Sequence, residues 1–180
     1  MITPMLFCNI GWMKYYQNVP GDIIRGGGSY VDERGDGGEK LNFLERPSGL
    51  VYGYVRSRGN INIDRLGAKQ TDVFVENVLV VWVSKNPVTG GIFIVGWYED
   101  ATVYRAEQKI INDDNITGRN DYFATTQAWK AVLIPDGWRK FKIPHGADGL
   151  GQSHLWYAQE VTNHQFREDV REYIRSGKVV

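Results

Sequence analysis

Apolar residues fall in short, strand-sized runs along most of this chain and take up helical spacing only near its end. Leu50-Val51-Tyr52-Gly53-Tyr54-Val55-Arg56 and Ile61-Asn62-Ile63-Asp64-Arg65-Leu66, split by Ser57-Arg58-Gly59-Asn60, predict a hairpin whose second arm alternates apolar and polar positions. Val78 to Val83, the turn Asn86-Pro87-Val88-Thr89-Gly90-Gly91 and Ile92 to Tyr98 predict a second hairpin, with continuous apolar runs that suit strands buried on both faces. Ala101 to Arg105, Ala128 to Ile134 and Arg139 to Ile143 add three strand candidates. After Asn163, a candidate N-cap, Phe166, Val170, Tyr173 and Ile174 recur at i, i+4, i+7 and i+8, and Gly177 follows as a stop, which predicts an amphipathic helix. Trp12 to Gln17 is expected to begin a short helix, and the glycines of Asp32 to Glu39 predict a loop. The expected class is α+β, with enough strands to curl into a barrel.

Composition narrows the picture. A chain of 180 residues is expected to form one domain, residues 1–180, that buries roughly 70% of its unfolded surface without disulfides. Cys8 is the single cysteine and lies in an apolar run, so it is assigned to the core rather than to nucleophilic chemistry. The N-terminus Met1-Ile2-Thr3-Pro4-Met5 lacks a signal-peptide pattern and no apolar run reaches membrane length, so a cytoplasmic protein without membrane contact is expected. Lys plus Arg and Asp plus Glu number 21 each, which removes a global basic signature. Locally the balance differs: Arg56, Arg58, Arg65 and Lys69 stand against Asp64, and Lys130, Arg139, Lys140 and Lys142 stand against Asp136.

The candidate chemistry lies in glycine and aromatic residues side by side: Gly11-Trp12 with Tyr15, Gly28-Ser29-Tyr30, Gly96-Trp97-Tyr98, and Gly151-Gln152-Ser153 with Trp156. Glycine permits close approach and aromatic rings offer flat faces, the materials of a pocket for a planar ring. Trp82, inside Val80-Val81-Trp82-Val83, is assigned to the core. His145, His154 and His164 match no metal-ligand spacing, so no metal or other cofactor is expected. Gly26-Gly27-Gly28 lacks the lysine and helix that a phosphate loop needs. Asp100, Glu107 and Lys109 imitate the acidic-plus-lysine set of Mg²⁺-dependent nucleases, and cleavage by that set is the alternative function.

Phe7 to Tyr16, Gly27 to Val31, Val51 to Val55, Val80 to Val83, Val95 to Tyr98, Ala101 to Arg105 and Gly149 to Ala158 carry a resemblance. In that order, and across nearly the whole chain, they resemble the N-terminal sensor module of bacterial HNH-type and related modification-dependent restriction endonucleases. The module is associated with the PUA-like superfamily that includes EVE, ASCH and YTH domains. The resemblance implies a PUA-like curved β-barrel with flanking helices that holds an extruded, modified base in an aromatic pocket. This chain has no His-Asn-His nuclease pattern, so noncatalytic reading of modified DNA is expected, with cleavage left to a separate nuclease subunit of a bacterial defence system. RNA or a free modified nucleotide is the further alternative ligand. His154 stands where the family more commonly has asparagine.

Flipping a base costs a few kcal/mol, which stacking and edge hydrogen bonds in a pocket recover. The expected base pocket comprises Trp12, Tyr15, Tyr30, Trp97, Tyr98 and Trp156 as rings and Asn9, Ser29, Gln152 and Ser153 as polar edges. Lys14, Arg105, Arg56, Arg58, Lys130, Arg139 and Lys140 are the expected phosphate contacts.

Overall fold

The computed structural model describes residues 2–25, 38–111, 120–147 and 149–177. Eight strands form one sheet: β1 (Met5–Asn9), β2 (Leu50–Gly53), β3 (Phe74–Lys85), β4 (Ile92–Lys109), β5 (Asp121–Gln127), β6 (Ala131–Leu133), β7 (Lys142–Ile143) and β8 (Leu155–Trp156). Among the described residues one α-helix, α1 (His164–Arg175), follows them. The order across the sheet is β2-β5-β4-β3-β1-β8, with β6 and β7 against β4. Pairing is antiparallel except between β1 and β3. No pairing joins β2 to β8 among the described residues, so the sheet is open and the expected barrel closure is corrected.

The β3–β4 hairpin is the spine, and its apolar runs bury both faces as expected. Val78, Val80 and Trp82 enter one core with Leu6, Cys8, Val95 and Tyr98, while Leu79, Val81 and Val83 enter a second with Phe7, Ile94, Trp97 and Trp156. Successive strand residues point to opposite faces, so a continuous apolar run feeds two cores at once. Asn77 at φ 58° and Asp100 at φ 46° sit where the β3–β4 register shifts, placing the bulge at side chains that tolerate the left-handed region. Val170 of α1 is fully enclosed in the second core, and Phe166, Tyr173 and Ile174 pack against it, as the helical spacing predicts.

Several expectations are corrected. Leu50 to Gly53 pairs with β5 instead of forming a hairpin with Ile61 to Leu66, and Ile63–Leu66 is a single 3-10 turn ended by Gly67 at φ 96°. Its buried Ile63 and Leu66 fit such a turn, so alternation over a few residues was a poor guide to conformation. Trp12 to Gln17 forms no helix; the N–H groups of Lys14, Tyr15 and Tyr16 all bond to the Asp22 carboxylate, at 2.8, 2.7 and 3.1 Å. Of the loop expected over Asp32 to Glu39, residues 32–37 lie outside the described residues, and Gly38–Leu41 is a 3-10 turn with Gly38 and Glu39 buried. No described helix is long and apolar enough to cross a membrane.

Candidate nucleic-acid interface

The glycine-flanked aromatics divide between the two cores instead of converging. Trp97, 2% exposed, lies in the second core with its ring 6.2 Å from that of Tyr173 on α1. Tyr98, next along the strand, faces the first core, edge-on to Trp82, and its hydroxyl donates to the Asn42 carbonyl. Trp156 packs between Phe7 and Phe166, at 5.0 and 5.5 Å. Trp12, 7% exposed, belongs to the first core and donates from Nε1 to Asp136 Oδ1 at 2.9 Å. The single pocket expected around Trp12 and Trp97 is therefore corrected: the sheet separates them. Glycine beside these rings makes room for core packing. A Cβ at Gly96 would strike the Val132 carbonyl and the Phe43 ring, and one at Gly53 would strike Trp82.

Of the other expected pocket residues, Ser29 and Tyr30 lie outside the described residues. Tyr15 is 40% exposed and shares a cleft of about 320 Å³ with Trp12, Lys14, Arg25, Asp22 and Asp136. Two carboxylates in that lining offset its two cations, which disfavours an anion there. Asn9 ends β1 and exchanges backbone contacts with His154: its N–H donates to the His154 carbonyl at 2.7 Å, and its own carbonyl lies 3.3 Å from His154 Nδ1. A carbonyl only accepts, so this contact is a hydrogen bond when Nδ1 carries a proton.

Gln152 and Ser153 do reach a cleft, and so do Arg56 and Arg58. This larger cleft, about 690 Å³, is lined by the 56–65 segment and by 152–157. Buried Val55, Ile61, Ile63 and Leu66 anchor the first segment, leaving Arg56, Arg58, Asn60, Asn62 and Arg65 on its outer side. The short β1–β8 pairing anchors the second, so the bend before β8 delivers Gln152, Ser153 and His154 to the opposite wall. Among the described residues three guanidinium groups line it and no carboxylate does. Arg65 lies over the Tyr157 ring at 4.3 Å, and the Tyr157 hydroxyl accepts from the Asn62 N–H at 3.1 Å. Burial raises the Tyr157 pKa, partly offset by that hydrogen bond, so the phenol is neutral at ordinary pH. Arg65, Tyr157, Asn60, Asn62 and His154 were not among the expected site residues; Arg65 stood in the basic run already noted, and Tyr157 and His154 in the Gly149 to Ala158 stretch that carries the resemblance.

The remaining expected phosphate contacts lie elsewhere. Arg139, 5% exposed, donates to the carbonyls of Ile134, Met13 and Lys14 at 3.0, 2.6 and 3.0 Å and covers the Trp12 ring, so its donors are occupied within the fold. Arg105 is tied to Asp64 at 2.7 Å and to the carbonyls of Asp72 and Lys69. Lys130 pairs with Asp100 at 2.6 Å, and Lys140 lies over the half-exposed Trp138 ring. None of these four lines the larger cleft. Asp100 and Glu107 stand seven residues apart on β4, about 20 Å at the rise of a strand, which puts them beyond the reach of one metal ion. The nuclease set of Asp100, Glu107 and Lys109 is corrected on that geometry.

Comparison with protein-family models, with curated proteins and with solved structures finds no match to this chain.

Proposed function

We propose that this chain binds nucleic acid without cleaving it, that modified DNA is its favoured ligand, and that it serves as the sensor of a restriction system whose cutting subunit is separate. The observation that carries the reading is the cleft lined by Arg56, Arg58 and Arg65 from one segment and by Gln152, Ser153 and His154 from another, with no carboxylate in its lining among the described residues. Clustered guanidinium groups attract and orient phosphates, while amide and hydroxyl groups opposite them can read a base edge. Zero net charge is compatible with binding because Arg56, Arg58 and Arg65 are grouped at one cleft. Modified DNA is preferred on the resemblance to PUA-like sensor modules, a relation that is part of the same proposal. In this chain the sheet remains open and the expected walls Trp12, Trp97, Tyr98 and Trp156 are core, so base recognition is assigned to the arginine cleft instead.

The test is a set of fluorescence-anisotropy titrations at several salt concentrations, using duplexes with ordinary and modified bases, the matching RNA and free nucleosides. The wild type should bind nucleic acid with a clear salt dependence and prefer one modified duplex. Replacing Arg56 and Arg58 together by Ala should weaken binding to every strand and lower the salt slope by about 2 ions. Tighter binding of a free nucleoside than of DNA, or Mg²⁺-dependent cleavage, would overturn the reading.

A further inference from the structure

Resting on that reading, we propose that the Arg65 guanidinium, laid on the Tyr157 ring, is the platform on which a base of the bound strand stacks. Arg65 is held from several sides. Its Nε donates to Gln159 Oε1 at 2.9 Å, the Gln159 amide donates back to the Arg65 carbonyl, and Glu160 Oε1 lies 3.9 Å from Nη2. The ring beneath is itself fixed: Tyr157 is 7% exposed and its hydroxyl is bonded to the Asn62 N–H.

A guanidinium is planar, and the Arg65 Cζ lies 4.3 Å from the centre of the Tyr157 ring. The Arg65 side chain is 41% exposed and lines the cleft. Stability does not account for this clamp. The pair with Glu160 is long and solvated, a kind that contributes little. The Gln159 bond and the Tyr157 ring restrict the rotamers of this flat cation before a ligand arrives, which lowers the ordering cost of binding. Bases stack on guanidinium planes as they do on aromatic rings. Asn60, Asn62, Gln152 and Ser153 line the same cleft and offer donors and acceptors for a base edge, while Arg56 and Arg58 supply charge for phosphates.

The roles separate experimentally because lysine keeps the charge of arginine and loses its plane. The probes are a single-stranded oligonucleotide, the same strand with abasic tetrahydrofuran sites, and the same strand carrying 2-aminopurine. Wild type should bind the base-bearing strand about 5- to 100-fold more tightly than the abasic one and quench 2-aminopurine. Arg65→Lys should retain abasic affinity within about 2-fold while losing most of the preference and the quench. Gln159→Ala, which leaves every charge in place, should reduce both in the same direction. Thermal melting of each variant checks folding. Preference and quenching unchanged in Arg65→Lys would overturn the stacking role while leaving nucleic-acid binding intact. Failure of the wild type to bind any strand would overturn the binding reading and this inference together.

Discussion

Among the described residues two arginines lie on aromatic rings, and they sit in opposite settings. Arg139 covers Trp12 and Tyr16 with its side chain wholly enclosed, and Arg65 covers Tyr157 with its side chain 41% exposed. Arg139 spends its donors on three backbone carbonyls, joining the loop at Met13 and Lys14 to the turn after β6. Burial lowers its pKa, while Tyr16 and Asp136 act the other way, so the charge is tolerated because partners surround it. Arg65 is positioned by one amide and faces a cleft. The same pair of groups is a structural tie where the donors bond within the fold, and the proposed binding surface is the one that faces a cleft.

The largest expected effect tests the tie. Arg139→Ala should lower stability by about 3–5 kcal/mol in urea unfolding, because carbonyls of Ile134, Met13 and Lys14 lose their donor inside the fold. A loss under about 1 kcal/mol would show that Arg139 is no more structural than Arg65.

Next in size is a probe of the sealed side through its glycines. Gly96→Ala should cost about 1–3 kcal/mol, since the added methyl meets the Val132 carbonyl, which has no rotamer by which to retreat. Unchanged thermal melting would mean that the β4–β6 contact is looser than its geometry.

Alkaline titration compares the tyrosines beneath the two arginines. Burial is the main cause that raises both phenol pKa values above 10.0, and Tyr16 is the more deeply enclosed. A raised folded pKa means the stabilisation is complete below pH 10.0 and is lost as pH climbs through the folded values. Stability should therefore fall above that pH, and Tyr16→Phe should remove more of the slope than Tyr157→Phe. Equal slopes for the two variants would remove the distinction between sealed and open sites.

The smallest stability effect belongs to Arg65. Arg65→Ala should change unfolding free energy by less than about 1 kcal/mol, as its contacts are solvated, while nucleic-acid affinity falls. Destabilisation comparable to that of Arg139→Ala would return Arg65 to a structural role.

The hairpin of β3 and β4 and the terminal helix were legible because their signals are local and long. Val78 to Val83 is a continuous apolar run, and Phe166, Val170, Tyr173 and Ile174 keep helical spacing over nearly the whole of α1. The partner of Leu50 to Gly53 was not legible, because backbone pairing is indifferent to sequence and β5 lies some seventy residues away. The glycine–aromatic signal was real but misassigned: a gap in a sheet filled by a core ring and a gap left for a ligand need the same residues.

By itself the sequence determined the two-faced strands, the amphipathic helix and the basic run at Arg56, Arg58 and Arg65, since hydrophobic period and local charge are written in neighbouring residues. Only the tertiary structure decided that the sheet stays open, that Trp12 and Trp97 go to separate cores, and that Gln152, Ser153 and Tyr157 meet the basic run across a cleft. It alone decided which arginine would be enclosed and which left facing solvent. That follows from physics: exposure and convergence are properties of distances between segments, and those distances exist only once the chain has packed.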